Sequence, residues 1–260
     1  MVTLAELHER RSYECRLTPD RALQSLDAAE SFLLDRGLLT RTADSALPSL
    51  YEACHEEAYR PGSRGFGEWP RTKWPWFGAL AERGYLVVAV HRGKNLLVGE
   101  EVAALLDPIC RAEIERMRAA DPAWNRLLDH LTAAGPSNIA DLQVELDLKP
   151  KELKGLRAPL ERCGAIVSRS LEVTAGGGHA HSSELARWDQ VHSEPGDGGI
   201  HLHLHHSLQA LLLAGVRAAV VAPEHELKRW FSWQWYWDDS ILDDVRLFRI
   251  DGYVAAASSR

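Results

Sequence analysis

Apolar residues recur at helical spacing in several blocks of this chain, and the clearest block lies between Pro122 and Trp188. Trp124, Leu127, Leu128 and Leu131 fall at the i, i+3, i+4, i+7 positions that bury one helical face, which predicts a helix over Ala123–Ala134. Gly135-Pro136 ends it, and Ser137 or Asn138 can cap a second helix in which Ile139, Leu142 and Leu146 share a face. A third helix starts near Pro150, whose missing N–H is no loss in a first turn, and buries Leu153, Leu156 and Leu160. Pro159 crowds the carbonyl of Gly155, so this helix is expected to kink or end early. Ala165–Arg169 and Ser183–Val191 then read as strands joined through a glycine tip at Ala175–Gly178.

Three helices followed by a hairpin is the order of a winged helix-turn-helix. Elsewhere the pattern predicts a helix over Asp20–Gly37 with Ala22, Leu26, Ala29 and Leu33 on one side, and a short helix from Phe77 to Arg83. Strands at Tyr85–Val90 and Leu96–Val98 around an Arg92–Asn95 turn follow, and then a helix over Glu100–Met117. The C-terminal part reads as a second, degenerate copy of the winged unit. His206–Leu213, Glu224–Phe231 and Tyr236–Asp244 stand as its helices, and Val245–Ile250 and Tyr253–Ala256 as a short wing around Asp251-Gly252. The expected fold class is α+β, mainly α, with tandem winged helix-turn-helix units preceded by a helical N-terminal region that carries a β-hairpin. The expected spans are 1–117, 118–195 and 196–260.

Charge adds a function to this architecture. The 260-residue chain is 45% hydrophobic, enough for a sizeable core, and carries a net charge of −7, so affinity for nucleic acid has to come from local patches. One patch is the third helix. From Lys149 to Arg162 five basic residues face two acidic ones; Lys151, Lys154 and Arg157 point largely away from the leucine face and, with Lys149, are placed to meet duplex phosphates. A second runs from Arg60 to Lys94, seven basic against two acidic, and includes Arg64, Arg71, Lys73 and Trp74. Its aromatic residues alternate with cations, as in surfaces that stack on unpaired bases; core packing explains the same tryptophans. The tail from Glu184 has seven basic and eleven acidic residues, so phosphate contact is not expected there. Duplex DNA is the expected partner, and a protein partner is the alternative, since winged helices also serve as protein-binding modules.

Other chemistry finds less support. Cys15, Cys54, Cys110 and Cys163 are far apart and read as free thiols. Seven of twelve histidines lie between His179 and His206. In a strand His201, His203 and His205 share a face that zinc can use, and in a helix His201 and His205 pair; a solvated face explains the alternation without metal. Asp238, Asp239, Asp243 and Asp244 lack a partner motif for a metal nuclease. No glycine loop has the Lys-Ser or Lys-Thr ending of a nucleotide site, so no nucleotide cofactor is expected. With no membrane-length apolar run and no basic-then-apolar leader, a cytoplasmic location without membrane contact is the expectation.

A leading helix, the segment Trp69–Gly78, a winged unit opening on Gly135-Pro136-Ser137 and a second unit ending in a short strand pair together resemble the AlkZ-related proteins, relatives of the bacterial winged-helix DNA glycosylases. The resemblance covers roughly residues 20–256. It implies tandem winged helices around a DNA channel and, in the parent family, excision of alkylated or crosslinked bases in DNA repair by a Gln-x-Gln or Gln-x-Asp motif. None of the five glutamines, Gln24, Gln143, Gln190, Gln209 and Gln234, begins such a motif; Gln143-Val144-Glu145 and Gln190-Val191-His192 are the nearest variants. The expectation is therefore a non-catalytic DNA-binding protein, with an unusual glycosylase as the alternative.

Overall fold

The computed structural model describes residues 2–62, 65–175, 178–192, 200–238, 240–243 and 245–257. Its α+β architecture is mainly helical, with three small antiparallel sheets. After α1 (Leu4–Glu14), a helix, a short strand, two 3-10 turns, another helix and a hairpin follow as α2 (Leu26–Arg36), β1 (Leu38–Thr40), α3 (Trp76–Glu82), β2 (Leu86–His91) and β3 (Lys94–Val98). α4 (Glu100–Ala120) leads to a second set: α5 (Pro122–Ala134), β4 (Ser137–Asn138), α6 (Ile139–Glu145), α7 (Pro150–Cys163), β5 (Ile166–Ala175) and β6 (Gly178–Arg187). After α8 (Trp188–Val191), the third set is α9 (Ile200–Ala219), β7 (Val221–Pro223), two 3-10 turns, β8 (Leu247–Ile250) and β9 (Tyr253–Ala256).

The three sheets have one topology. Their orders are β1-β3-β2, β4-β6-β5 and β7-β9-β8, so in each the hairpin's second strand lies between its first strand and the short strand before it. The N-terminal copy of this pattern is not visible in hydrophobic spacing, because a long irregular segment separates β1 from α3.

Local chemistry sets the element ends of the second set. The Asp121 carboxylate accepts from the Ala123 N–H at 2.7 Å, and the Asn138 side chain accepts from the Asp141 N–H at 2.9 Å, starting α5 and α6. Gly164, at φ 81, stops α7 in the left-handed region, and a Cβ there would lie 2.6 Å from Cys110 Sγ. α7 continues through Pro159 to Cys163, so it does not end early at the proline. The carbonyl that loses its partner belongs to Gly155, which is exposed, so water can replace the lost bond. Pro108 inside α4 repeats the arrangement, with exposed Ala104 four residues before it.

Other boundaries differ from the sequence reading for tertiary reasons. The helix expected from Asp20 begins at Leu26, where Ser25 Oγ caps the Ala28 N–H at 3.1 Å, because buried Leu23 is tied by its N–H to the Ala53 carbonyl at 2.9 Å. The strand expected to reach Val191 stops at Arg187, whose N–H donates to Gln190 Oε1 at 2.9 Å and opens the short helix α8. In the third set His206–Leu213 is part of the 20-residue α9, Glu224–Arg229 is a 3-10 turn, and the helix expected over Tyr236–Asp244 is absent among the described residues. Trp233 Nε1 donates to the Cys163 carbonyl at 2.9 Å, and such bonds to distant elements, rather than a helical repeat, hold this segment.

One large core links all three sets, from Leu38 and Val98 through Leu131 and Leu160 to Trp230 and Val254. α4 packs on α5, α7, α8 and α9, and the boundary expected after residue 117 falls inside it. A second cluster, including Phe32, Leu50, Phe77 and Leu97, sits on the other side of the first sheet. All four cysteines are free and buried, and burial pushes the Cys15 thiol up to about 11 and those of Cys54 and Cys163 to about 12.

Two predictions follow from this packing. Gly164→Ala forces a methyl into Cys110 at a positive φ, and urea denaturation should show a loss of about 2 kcal/mol or more. His91 is fully buried, and burial lowers its pKa from 6.5 to about 4. The unfolded chain therefore binds a proton that the native state refuses, and stability falls as pH drops from 6.5 toward 4. His91→Gln should remove about 2 kcal/mol of the stability lost between pH 7 and pH 5, read from paired urea curves.

Candidate functional site

α7 presents two chemically distinct faces. Leu153 and Leu160 are buried and Leu156 packs against the same core, while Lys149, Lys151 and Lys154 are exposed and Arg157 is half-buried. Among the described residues none of these four cations has a side-chain hydrogen bond or an ion pair. The Lys149 N–H donates to Glu152 Oε2 at 2.7 Å, so the nearest carboxylate caps the helix. Exposed Arg162 extends the basic face and lies over the β2–β3 turn, its Nε 3.1 Å from where a Cβ on Gly93 would sit. Gly93 sits at φ 73, which favours glycine there whatever the space.

The second predicted patch is largely consumed internally. Lys73 Nζ donates to the carbonyls of Leu23 at 2.8 Å and Cys54 at 3.2 Å, which makes it a brace for the loop and withdraws it from any phosphate. Arg83 pairs with Asp27 and Glu30, Lys94 with Asp44, and Arg92 donates to the carbonyls of Asp44 and Arg229. Arg71 stays exposed, and Arg64 lies outside the described residues. Trp69 and Trp76 are half-buried against the second core cluster, in line with the packing explanation, whereas Trp74 is 37% exposed. The Trp74 ring lies 6.4 Å from that of Trp69. The sequence thus suggested two positive surfaces, and the structure leaves the α7 face as the richer one.

The histidine series falls in α9, so the strand that would align His201, His203 and His205 does not form. His205 Nδ1 lies 3.5 Å from Asp238 Oδ2. Among the described residues no group of three or more His, Cys, Asp or Glu is placed to hold a metal ion. Asp239 and Asp244 lie outside the described residues, as do Gly176 and Gly177 of the expected wing tip. Of the nearest glutamine motifs, Gln190 is occupied at both ends: its Oε1 takes the Arg187 N–H and its Nε2 donates to the Leu131 carbonyl. Val144, between Gln143 and Glu145, is 81% exposed on α6.

Sequence reasoning missed two buried carboxylates on α4. Asp107 accepts from Arg111 Nε at 2.8 Å and from Trp188 Nε1 at 2.7 Å. Glu113, 0% exposed, accepts from Arg116, from Trp235 Nε1 at 3.0 Å and from the Tyr236 hydroxyl at 2.6 Å. Burial and then the Glu113 hydrogen bond push the Tyr236 phenol up, and the same carboxylate raises Arg116. With both oxygens fully engaged, Glu113 is an anchor and not a poised base. The acid–arginine spacing, i to i+3 and i+4, was the available signal, but it also describes any exposed ion pair on a helix.

Comparison with protein-family models, curated proteins and solved structures finds no match to the chain. Among the described residues no helix is long and apolar enough to cross a membrane. Glu113→Gln would turn amide donors toward the donors of Arg116, Trp235 and Tyr236, and the expected cost is about 3 kcal/mol by chemical denaturation, with a shift in tryptophan emission.

Proposed function

We propose that the α5–β6 set is a winged helix-turn-helix and that the chain is a non-catalytic binder of duplex DNA. In this reading α7 is the helix laid against the DNA, and the β5–β6 ribbon is its wing. The observation that carries it is the set of four cations on α7, Lys149, Lys151, Lys154 and Arg157, that no described side chain engages, while most of the other cations predicted to be available are bound to carbonyls or carboxylates. A solvated phosphate backbone is the counter-charge that such a face fits, and lysine contacts of this kind position a protein on DNA without reading its sequence. The repeated strand order supports extending the winged description to the flanking sets. The acidic third set then serves packing or protein contact. The engaged side chain of Gln190 supports the non-catalytic reading over the glycosylase that the resemblance to AlkZ-related proteins suggests.

Fluorescence anisotropy of the full chain with a labelled undamaged duplex and a matched alkylated one, at low and moderate salt, tests this. The expected result is similar affinity for both duplexes, weakening steeply with salt. Lys151→Ala/Lys154→Ala should bind more weakly and lower the salt slope by about 2, close to 1 per lost phosphate contact. A marked preference for the alkylated duplex would favour the glycosylase. No binding at low salt would make the α7 face a protein-contact surface.

A further inference from the structure

A cleft of about 710 Å³ opens beside β1, and Arg41, Tyr51, Glu52, Glu68, Trp69 and Asn95 are among its lining residues. Its unusual member is Arg41. The guanidinium carbon lies 4.9 Å from the Trp69 ring centroid and 4.4 Å from that of Phe77, and its Nε is buried. Burial holds the group below the usual arginine range. Among the described residues it has no hydrogen-bond acceptor and no ion pair. Arg11, Arg36, Arg111 and Arg187, also well covered, all donate to carbonyls or carboxylates, while Arg21, stacked on Tyr13 outside the cleft, shares the buried, unpartnered Nε. Of the five guanidinium donors only the Nε–H is cut off from solvent, which leaves the terminal N–H groups to be met by water or by a ligand in the cleft.

The neighbouring charges restrict what that ligand is. Asp44 is paired with Lys94, and Glu56 is held by the Thr72 and Lys73 N–H groups at 2.8 and 2.9 Å. Glu52 and Glu68 remain, exposed and without a cation among the described residues. Arg41 and Lys94 against Asp44, Glu52, Glu56 and Glu68 leave the lining with an excess of negative charge, which keeps phosphate groups out of the cleft itself. The cleft suits a flat, uncharged group that offers paired acceptors to Arg41 on one edge, donors to a carboxylate on the next, and a ring face to Trp69. Among nucleobases guanine has this pattern: O6 and N7 match the arginine fork, and N1–H and the 2-amino group suit a carboxylate.

We propose that the Arg41 cleft is a guanine-binding site, with Arg41 donating to O6 and N7 and Glu52 or Glu68 accepting from N1–H and the 2-amino group. The base can come from a free nucleoside or from an unpaired guanine in DNA. Isothermal titration of the full chain with deoxyguanosine, deoxyadenosine and deoxycytidine tests the chemistry. Deoxyguanosine should bind at least tenfold more tightly than the others, and Arg41→Gln should remove that preference. Glu52→Gln/Glu68→Gln, on exposed positions, should weaken deoxyguanosine at least threefold and serves if Arg41→Gln does not fold. Duplexes with a 3′ overhang of guanine or adenine distinguish the source. A guanine preference that disappears in Arg41→Gln assigns the site to DNA, and equal affinity beside tight nucleoside binding assigns it to the free nucleoside. Lys151→Ala/Lys154→Ala should weaken both overhang duplexes equally, so failure of the α7 reading leaves the nucleoside result intact. Equal binding of deoxyadenosine and deoxyguanosine, or binding of a zwitterionic amino acid such as leucine in their place, overturns the proposal.

Discussion

The fold depends on satisfying two carboxylates that α4 carries into the interior. Asp107 and Glu113 are 4% and 0% exposed, and each has an arginine one helical turn later together with an indole N–H from a distant segment. An unpaired buried carboxylate costs several kcal/mol, so Trp188 and Trp235 cannot leave their places without a large penalty. Those two tryptophans bring the start of α8 and the segment before β8 onto the same helix. Hydrophobic contact alone would tolerate sliding between these surfaces; the directional bonds to α4 fix their register.

Around that helix one strand order occurs three times, with very different contents. The second set is nearly ideal, with capped helices, a left-handed glycine at the end of α7 and a long ribbon. The third replaces helices by 3-10 turns because Trp233, Trp235 and Tyr236 are committed to Cys163 and Glu113. The first contains the long segment that Lys73 braces from below. The basic face of α7 and the Arg41 cleft thus belong to different copies of one topology, one offering unpaired lysines to solvent and the other a sheltered guanidinium among aromatic rings.

How much of this was legible in the sequence follows from the range of the interactions. α5, α6 and α7 could be read because Gly135, Asn138, Pro150 and Gly164 act on their own neighbours and the leucines repeat at short spacing. The exposed lysines of α7 were legible for the same reason. Lys73 and Arg92 looked available because their acceptors lie 50 and 48 residues away. Pro159 does not end α7, and the carbonyl it leaves without a partner belongs to Gly155, which is exposed and open to water. Arg41 carried no local sign at all, since the rings that hold it come from Trp69 and Phe77.

The β5–β6 ribbon pairs ten residues on each strand, from Ile166 with Arg187 to Ala175 with Gly178, a length of about 30 Å. Among the side chains of its strands whose burial is described, the buried hydrophobic ones, Ile166, Val167, Leu185 and Ala186, sit within its first three pairs. Adding or removing one residue on each strand near the tip would change its length by about 3 Å and leave those anchors in register. The ribbon is therefore a part whose reach evolution can adjust independently of the rest, on a base that the core holds still.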